Sequence, residues 1–423
     1  VRSFDEELQE LERGSRRRWL RAIPGPQGVT MAVDGQPMVN FSSNDYLGLA
    51  AHPRVRGAFI KAVEKLGAGA GASRLVCGTR SAHAELDSTL AAFKGTEAAL
   101  SFGSGYAAAL GTLGAVLRPG DVALLDRLAH ACLVDGARAS GALVRRFRHH
   151  DVGQLAGYLE WAFARVRPGG RVVVATEAIF SMDGDRAPLV EMSELTRARG
   201  ALLLVDEAHS IGICGRDGRG LVDELGVGDR VDLHLGTLSK AVGLAGGYVA
   251  GSRSAIDLII NRARSLIYST APPPALAATA VYVIREIFAS ALGAALREAM
   301  WRNAAHLHAR LSPGASPAPV ASPIFPVHCG EEAAALRAAE ALRDAGIFAP
   351  AIRPPTVPPG QSRVRLSVSA AHTPAQIDLV ADAIGSLRAQ MAPAASSPPV
   401  PSPTVPSPTV PSQPVPPPTA PAP

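Results

Sequence analysis

Lys240, in Thr237-Leu238-Ser239-Lys240, follows an apolar run from Val231 to Leu235 that reads as a buried strand, and Gly243, Gly246 and Gly247 crowd its far side. A second run, Ala201 to Val205, ends in Asp206-Glu207-Ala208-His209. An amine, a carboxylate and an imidazole at neighbouring strand ends suit carbonyl chemistry. The amine captures an aldehyde as an imine, the carboxylate keeps a ring nitrogen protonated, and the imidazole bonds a phenolic oxygen. The amine must first lose its proton, which burial and nearby positive charge both favour. Taken singly, each residue has a plainer reading: a capping Asp, a packed His, an exposed Lys. Their company is what points to pyridoxal phosphate (PLP).

A phosphate needs its own cradle. Phe102-Gly103-Ser104-Gly105-Tyr106 follows a predicted strand and opens a helix, where unpaired N–H groups meet an anion. Thr237 adds a hydroxyl. Gly103-x-Gly105-x-x-Ala108, with Asp126 beyond it, also fits a dinucleotide fingerprint, so an NAD-dependent oxidoreductase is the rival reading. His130 is placed either to stack on a flat ring or simply to start a helix. Ser181, in Phe180-Ser181-Met182-Asp183-Gly184-Asp185, is either a partner for the ring oxygen or an ordinary turn serine. The chain has no G-x-S-x-G elbow, no H-E-x-x-H and no Walker A pattern. His149-His150 lacks metal-ligand spacing and reads as surface, and no metal is expected.

These residues need a scaffold. Candidate strands at 98–102, 122–125, 142–147, 172–176, 201–205, 231–235 and 247–250 alternate with helical segments such as 152–166 and 189–199. The pattern predicts a parallel α/β sheet with helices on both faces and a site at its carboxyl edge, where Asp206, Lys240 and Glu177 fall. Upstream, a charged amphipathic helix is expected from Phe4 to Arg21. Beyond Pro272-Pro273-Pro274, helices at 275–289, 292–311 and 332–345 with strands at 323–327 and 363–368 predict a smaller α+β domain. The expected units are an N-terminal helix and arm (1–50), a large PLP-binding domain (51–274), a small domain (275–391) and a proline-rich tail (392–423). The tail is almost only Pro, Ser, Val, Thr and Ala, a composition expected to stay extended.

These motifs together resemble the α-oxoamine synthase family of fold-type I PLP enzymes. The likeness runs from about residue 16 to 385. It rests on Asn40-Phe41-Ser42-Ser43-Asn44-Asp45-Tyr46-Leu47-Gly48-Leu49, the stretch Gly67 to Ser73 with His83, Asp206 to Ser210, Thr237 to Lys240 and Tyr268-Ser269-Thr270. Ala351 to Gly360 and Arg363-Val364-Arg365-Leu366-Ser367 narrow it to the branch that condenses L-alanine with a pimeloyl thioester and releases CO2. Sister activities such as 2-amino-3-ketobutyrate CoA ligase share Lys240, Asp206 and His209.

The resemblance implies a mostly parallel seven-stranded sheet and a homodimer with shared active sites. It makes Lys240 the imine lysine and α-proton base, Asp206 the ring-nitrogen partner and His130 the stacking residue. His209 and Ser181 are implied at the ring oxygen, and Gly105, Tyr106 and Thr237 at the phosphate, with Thr270 reaching a partner subunit's phosphate. It implies Asn44 and Arg353 at the substrate carboxylate, Thr356 at the substrate, and Arg18 as the N-terminal substrate arginine.

Composition sets bounds. With 42 basic and 37 acidic residues, the surplus is mild and its clusters, Arg16-Arg17-Arg18 and Arg145-Arg146 with Arg148, read as solvated faces. No nucleic-acid or membrane partner is expected. The four cysteines form no C-x-x-C, which suits a reducing cytoplasm and gives no disulfide framework.

Overall fold

The computed structural model describes residues 2–312 and 319–391; the proline-rich tail expected at 392–423 lies outside them. The chain opens with a helix, Phe4–Arg13, begun by a Ser3/Glu6 capping box. It stops well short of Arg21. Gly14 ends it, Ser15 takes φ +52°, and no residue of the helix is buried, so no core rewards further turns. Arg16, Arg17 and Arg18 therefore lie on a non-helical arm. Strands β1 (Thr30–Val33) and β2 (Gln36–Asn40) follow as a hairpin whose Asp34-Gly35 turn has both φ values positive.

Seven strands form the central sheet: β3 (Ala98–Phe102), β4 (Val122–Asp126), β5 (Leu143–Phe147), β6 (Val172–Glu177), β7 (Leu202–Asp206), β8 (Leu233–Thr237) and β9 (Gly247–Gly251). Their order is β3-β9-β8-β7-β6-β4-β5, parallel except that β9 runs antiparallel to both neighbours. The apolar runs are continuous because helices cover both faces. Val172, Val174, Leu203 and Val205 pack into one core, while Val173, Ala175, Leu204 and Leu235 pack into the other. Only β5, at the edge, is half-exposed, and it carries Arg145 and Arg146 there.

The C-terminal part adds β10 (Ile324–Gly330), β11 (Ile347–Phe348), β12 (Ala351–Ile352) and β13 (Ser362–Ser367). β10-β13-β12 is an antiparallel sheet, and β11 instead pairs with β2. Phe41 sits in the same core as Leu307, Val364, Leu366 and Ile377, so the N-terminal segment packs with the small domain. The expected helix 275–289 divides into Pro274–Tyr282 and a π-helical turn, Val283–Phe288. No single helix among the described residues is long and apolar enough to cross a membrane.

Candidate active site

Three sheet strands end side by side at the carboxyl edge. Glu177 closes β6, Asp206 closes β7 and Thr237 closes β8, with Glu177 and Asp206 paired in register. After β8 the chain turns sharply. The Thr237 hydroxyl accepts the Ser239 N–H (3.2 Å), donates to the Gly246 carbonyl (3.0 Å) and lies 2.7 Å from the Ser239 hydroxyl. Gly243 has φ +76°, and a Cβ there would fall 2.5 Å from the Ala50 nitrogen, so only glycine permits this close return. The turn delivers Lys240 Nζ to 2.9 Å from His209 Nε2.

A polar chain continues from His209. Its Nδ1 lies 2.6 Å from the Tyr46 hydroxyl, and Tyr46 in turn lies 3.3 Å from Asn44 Oδ1. Arg365, on β13, donates to Asn44 Oδ1 through both terminal nitrogens at 3.1 Å, to the Tyr46 hydroxyl at 3.4 Å and to the Ser181 carbonyl. The Ser181 N–H donates to Glu177 Oε2 at 3.2 Å. Arg365 and Asn44 come from opposite ends of the sequence, yet they meet Ser181 and His209 in one network.

Burial sets the proton states. It lowers the Lys240 amine below the ordinary lysine value, while the charges of Asp206 and Glu177 partly restore it; part of the lysine still faces the open site. Burial also holds His209 well below the imidazole range, helped by Lys240 and Arg365, so its ring is neutral. Glu177 is pushed up to about 8, first by burial and then by Asp206 beside it. Its Oε1 is buried with no hydrogen-bond partner. Burial keeps His130 below its usual value too. Its Nδ1 accepts the Cys132 N–H (3.3 Å) and lies 3.0 Å from the Cys132 sulfur, which leaves the single proton on Nε2.

The helix Gly105–Val116 begins beside Thr237. Ser104 caps it by accepting from Ala107, and the N–H groups of Gly105 and Tyr106 have no partner within the helix. A Cβ on Gly247 would lie 2.5 Å from Gly105, so two backbones meet there with no side chain between them. Tyr106 is exposed and bonds Asp135, and Thr270 is exposed beside an isolated bridge to Ser73.

The remaining expected residues lie apart from the network. Arg353 donates to the main-chain carbonyls of Ser15 and Arg17, and Arg18 donates to those of Arg353 (3.2 Å) and Pro354 (2.9 Å). Both line a cleft of about 970 Å³ between the arm and the small domain, with Arg17, Arg21 and Arg343. Thr356 is exposed nearby in sequence, its N–H bonded to the Arg353 carbonyl. Arg353, expected with Asn44 at the substrate carboxylate, does not lie beside Asn44 here: Arg365 holds that position, because β13 aims it inward whereas Arg353 bonds the arm. Tyr46, Cys132 and Arg365 were not expected in the site, and Glu177 was expected at the carboxyl edge without a role. A clue existed for Arg365, since two arginines spaced by two on a short apolar strand share one face.

The sequence matches the family model described as aminotransferase class I and II over residues 36–384. An 8-amino-7-oxononanoate synthase of Anaeromyxobacter dehalogenans (strain 2CP-1) is 49% identical over 92% of this chain and 96% of its own length. The chain belongs to this PLP-dependent family, in its α-oxoamine synthase branch. A relative of the same description from Geotalea daltonii is 42% identical over 91% of the chain and 97% of its own. Among solved structures, Sphingomonas wittichii serine palmitoyltransferase superposes with a TM-score of 0.83 at 30% identity, covering 92% of this chain and 96% of that one. An 8-amino-7-oxononanoate synthase from Francisella tularensis, at 24% identity and TM-score 0.68 over 84% and 98%, shares the fold.

The site fits the family's cofactor on its own geometry. A lone buried amine, a carboxylate at the adjoining strand end, an unpartnered Glu177 oxygen and a helix N-terminus lined by glycine supply amine, ring and phosphate partners.

Proposed function

We propose that this chain condenses L-alanine with a pimeloyl thioester to give 8-amino-7-oxononanoate, a step of biotin biosynthesis. One observation carries the site chemistry: the Lys240 amine lies 2.9 Å from His209 Nε2 and feels the charges of Asp206 and Glu177, which are paired at adjoining strand ends. The choice of substrates rests on relatives such as that of A. dehalogenans.

PLP, when bound, supplies the electron sink that lets the carbon beside an amine give up its proton. Asp206 keeps the ring nitrogen protonated. Lys240 would hold the aldehyde until the alanine amine displaces it; the freed amine, its pKa lowered by burial, then takes and returns the α-proton. His209 and Ser181 would serve the ring oxygen, and His130 would lie against the ring with its Nε2 proton free to donate. Gly105, Tyr106 and Thr237 hold the phosphate, joined by Thr270 from a second copy in a homodimer. Asn44 receives the alanine carboxylate, and Arg365 fixes its orientation. Arg18, Arg353 and Thr356 face the acyl group. A carbon–carbon bond forms at alanine's Cα, the carrier thiol leaves, and the alanine carboxylate departs as CO2. The carrier is CoA or acyl carrier protein.

A panel of amino acids and acyl-CoAs tests this. Thiol release is fastest with alanine and pimeloyl-CoA. Faster release with glycine and acetyl-CoA, or with serine and palmitoyl-CoA, would assign the chain to a sister activity.

A further inference from the structure

We propose that His149, His150 and Asp185 form a divalent-cation site, suited to Zn2+, that staples two loops beside the active site. One ligand atom from each lies within 4.8 Å of the others. Asp185 Oδ2 is 2.7 Å from His149 Nε2 and 3.2 Å from His150 Nε2, close to the spacing of about 3.3 Å between tetrahedral zinc ligands. Although the histidines adjoin in sequence, their rings stack with centroids 3.7 Å apart, so both Nε2 atoms face the same carboxylate.

Three further features mark the cluster as built for a ligand. First, His149 Nδ1 bonds Asp126 Oδ1 at 3.0 Å, the carboxylate behind an imidazole that typically orients a metal-binding histidine. Asp126 is itself fixed, accepting the N–H groups of Leu128 (2.8 Å) and His150 (3.2 Å). Second, His150 Nε2 and Asp185 Oδ1 are both shielded from solvent without a hydrogen bond. Third, His150 occupies φ +58°, a left-handed backbone uncommon outside glycine, and this conformation turns its ring onto His149. Phe180 packs edge-on against both rings. The expectation of a surface pair is corrected accordingly: both histidines are half-buried, and the third ligand comes from a distant loop.

The consequence lies in the 180–185 loop. It carries Ser181 and is tied to the small domain through Arg363–Asp183 and through Ser322 to the Gly184 carbonyl. A cation on Asp185 joins this loop to the one following β5, whose His149 is braced by Asp126 at the end of β4, and fixes the Ser181 end of the site.

The test uses holoenzyme without added histidines, stripped with chelator. Zn2+ is titrated by calorimetry, and Co2+ by its visible ligand-field absorption. One equivalent per chain is expected to survive dialysis and to raise the melting temperature. His150→Asn, which tolerates the left-handed backbone, and Asp185→Asn each weaken binding more than tenfold and abolish the thermal shift. No retained metal in the wild type, or His150→Asn binding as the wild type does, would overturn the site. So would loss of binding in Cys132→Ser instead, which would move the metal to His130.

Discussion

Two arginines of the small domain show how differently two regions of this molecule are organised. Arg365 sits on β13, 6% exposed, with every donor directed at a named partner among Asn44, Tyr46, Ser181 and Ser367. Arg353 follows the two-residue β12, half-buried, and touches only main-chain carbonyls of the arm. The strand-end region is rigid because a doubly covered sheet sets each position. The seam between arm and small domain rests instead on a short extended segment held through main-chain carbonyls. The first region suits chemistry that tolerates no misplacement, and the second suits a long, flexible acyl chain. Strand-end changes should therefore lower turnover, and seam changes should raise KM.

The largest effect is expected at Asp206. Asp206→Asn removes the charge that sustains ring protonation, and turnover falls about 10²–10⁴-fold. The same change removes a carboxylate that favours the Lys240 ammonium, so the Lys240 pKa drops further. The rate at which cofactor-free protein takes up PLP, followed by colour, then reaches its plateau at lower pH than in the wild type. An unchanged profile would break the link between these residues.

Next comes the foundation of the sheet. Glu207 is fully buried and paired with Lys94 and His234. Burial alone would raise its pKa, but Lys94 and His234 outweigh that and hold it at about 2, below the ordinary glutamate value of 4.5. Its contribution to stability is therefore complete above about pH 4.5 and lost as pH falls through 2. Glu207→Gln leaves Lys94 uncompensated and costs about 3–5 kcal/mol in denaturant unfolding. It also flattens the acid limb of the stability curve.

The two arginines give the sharpest contrast and the smaller effects. Arg365→Met removes charge-assisted bonds worth about 1.5–3 kcal/mol, a loss of roughly 10- to 100-fold in kcat/KM for alanine. Arg353→Ala is expected to change that parameter less than about threefold and to raise KM for the thioester instead, by up to about tenfold. Equal effects of the two on alanine would erase the distinction.

The sequence made some of this legible and hid the rest for physical reasons. Each central strand is a continuous apolar run such as Val172-Val173-Val174-Ala175, and all seven lie within a few residues of their expected places. The placement of Lys240, Asp206, His209 and Ser181 near strand ends was legible because a strand end is a local feature. The N-terminal helix was overextended because its charge pattern continues past Gly14 although nothing packs against it. Arg365 was hidden because an arginine on a strand reads as solvent-facing. Its burial depends on Asn44, more than three hundred positions away. Tyr46 and Glu177 likewise acquire partners only once the sheet and the small domain are assembled.

The central claim is that Lys240, and no other amine, carries the cofactor aldehyde. Borohydride reduction of the yellow holoenzyme, followed by peptide mapping, tests it directly. The pyridoxyl mass should fall on the peptide containing Lys240, and Lys240→Ala should be unlabelled. A label on another lysine, or a wild-type protein that PLP neither colours nor modifies, would contradict the account.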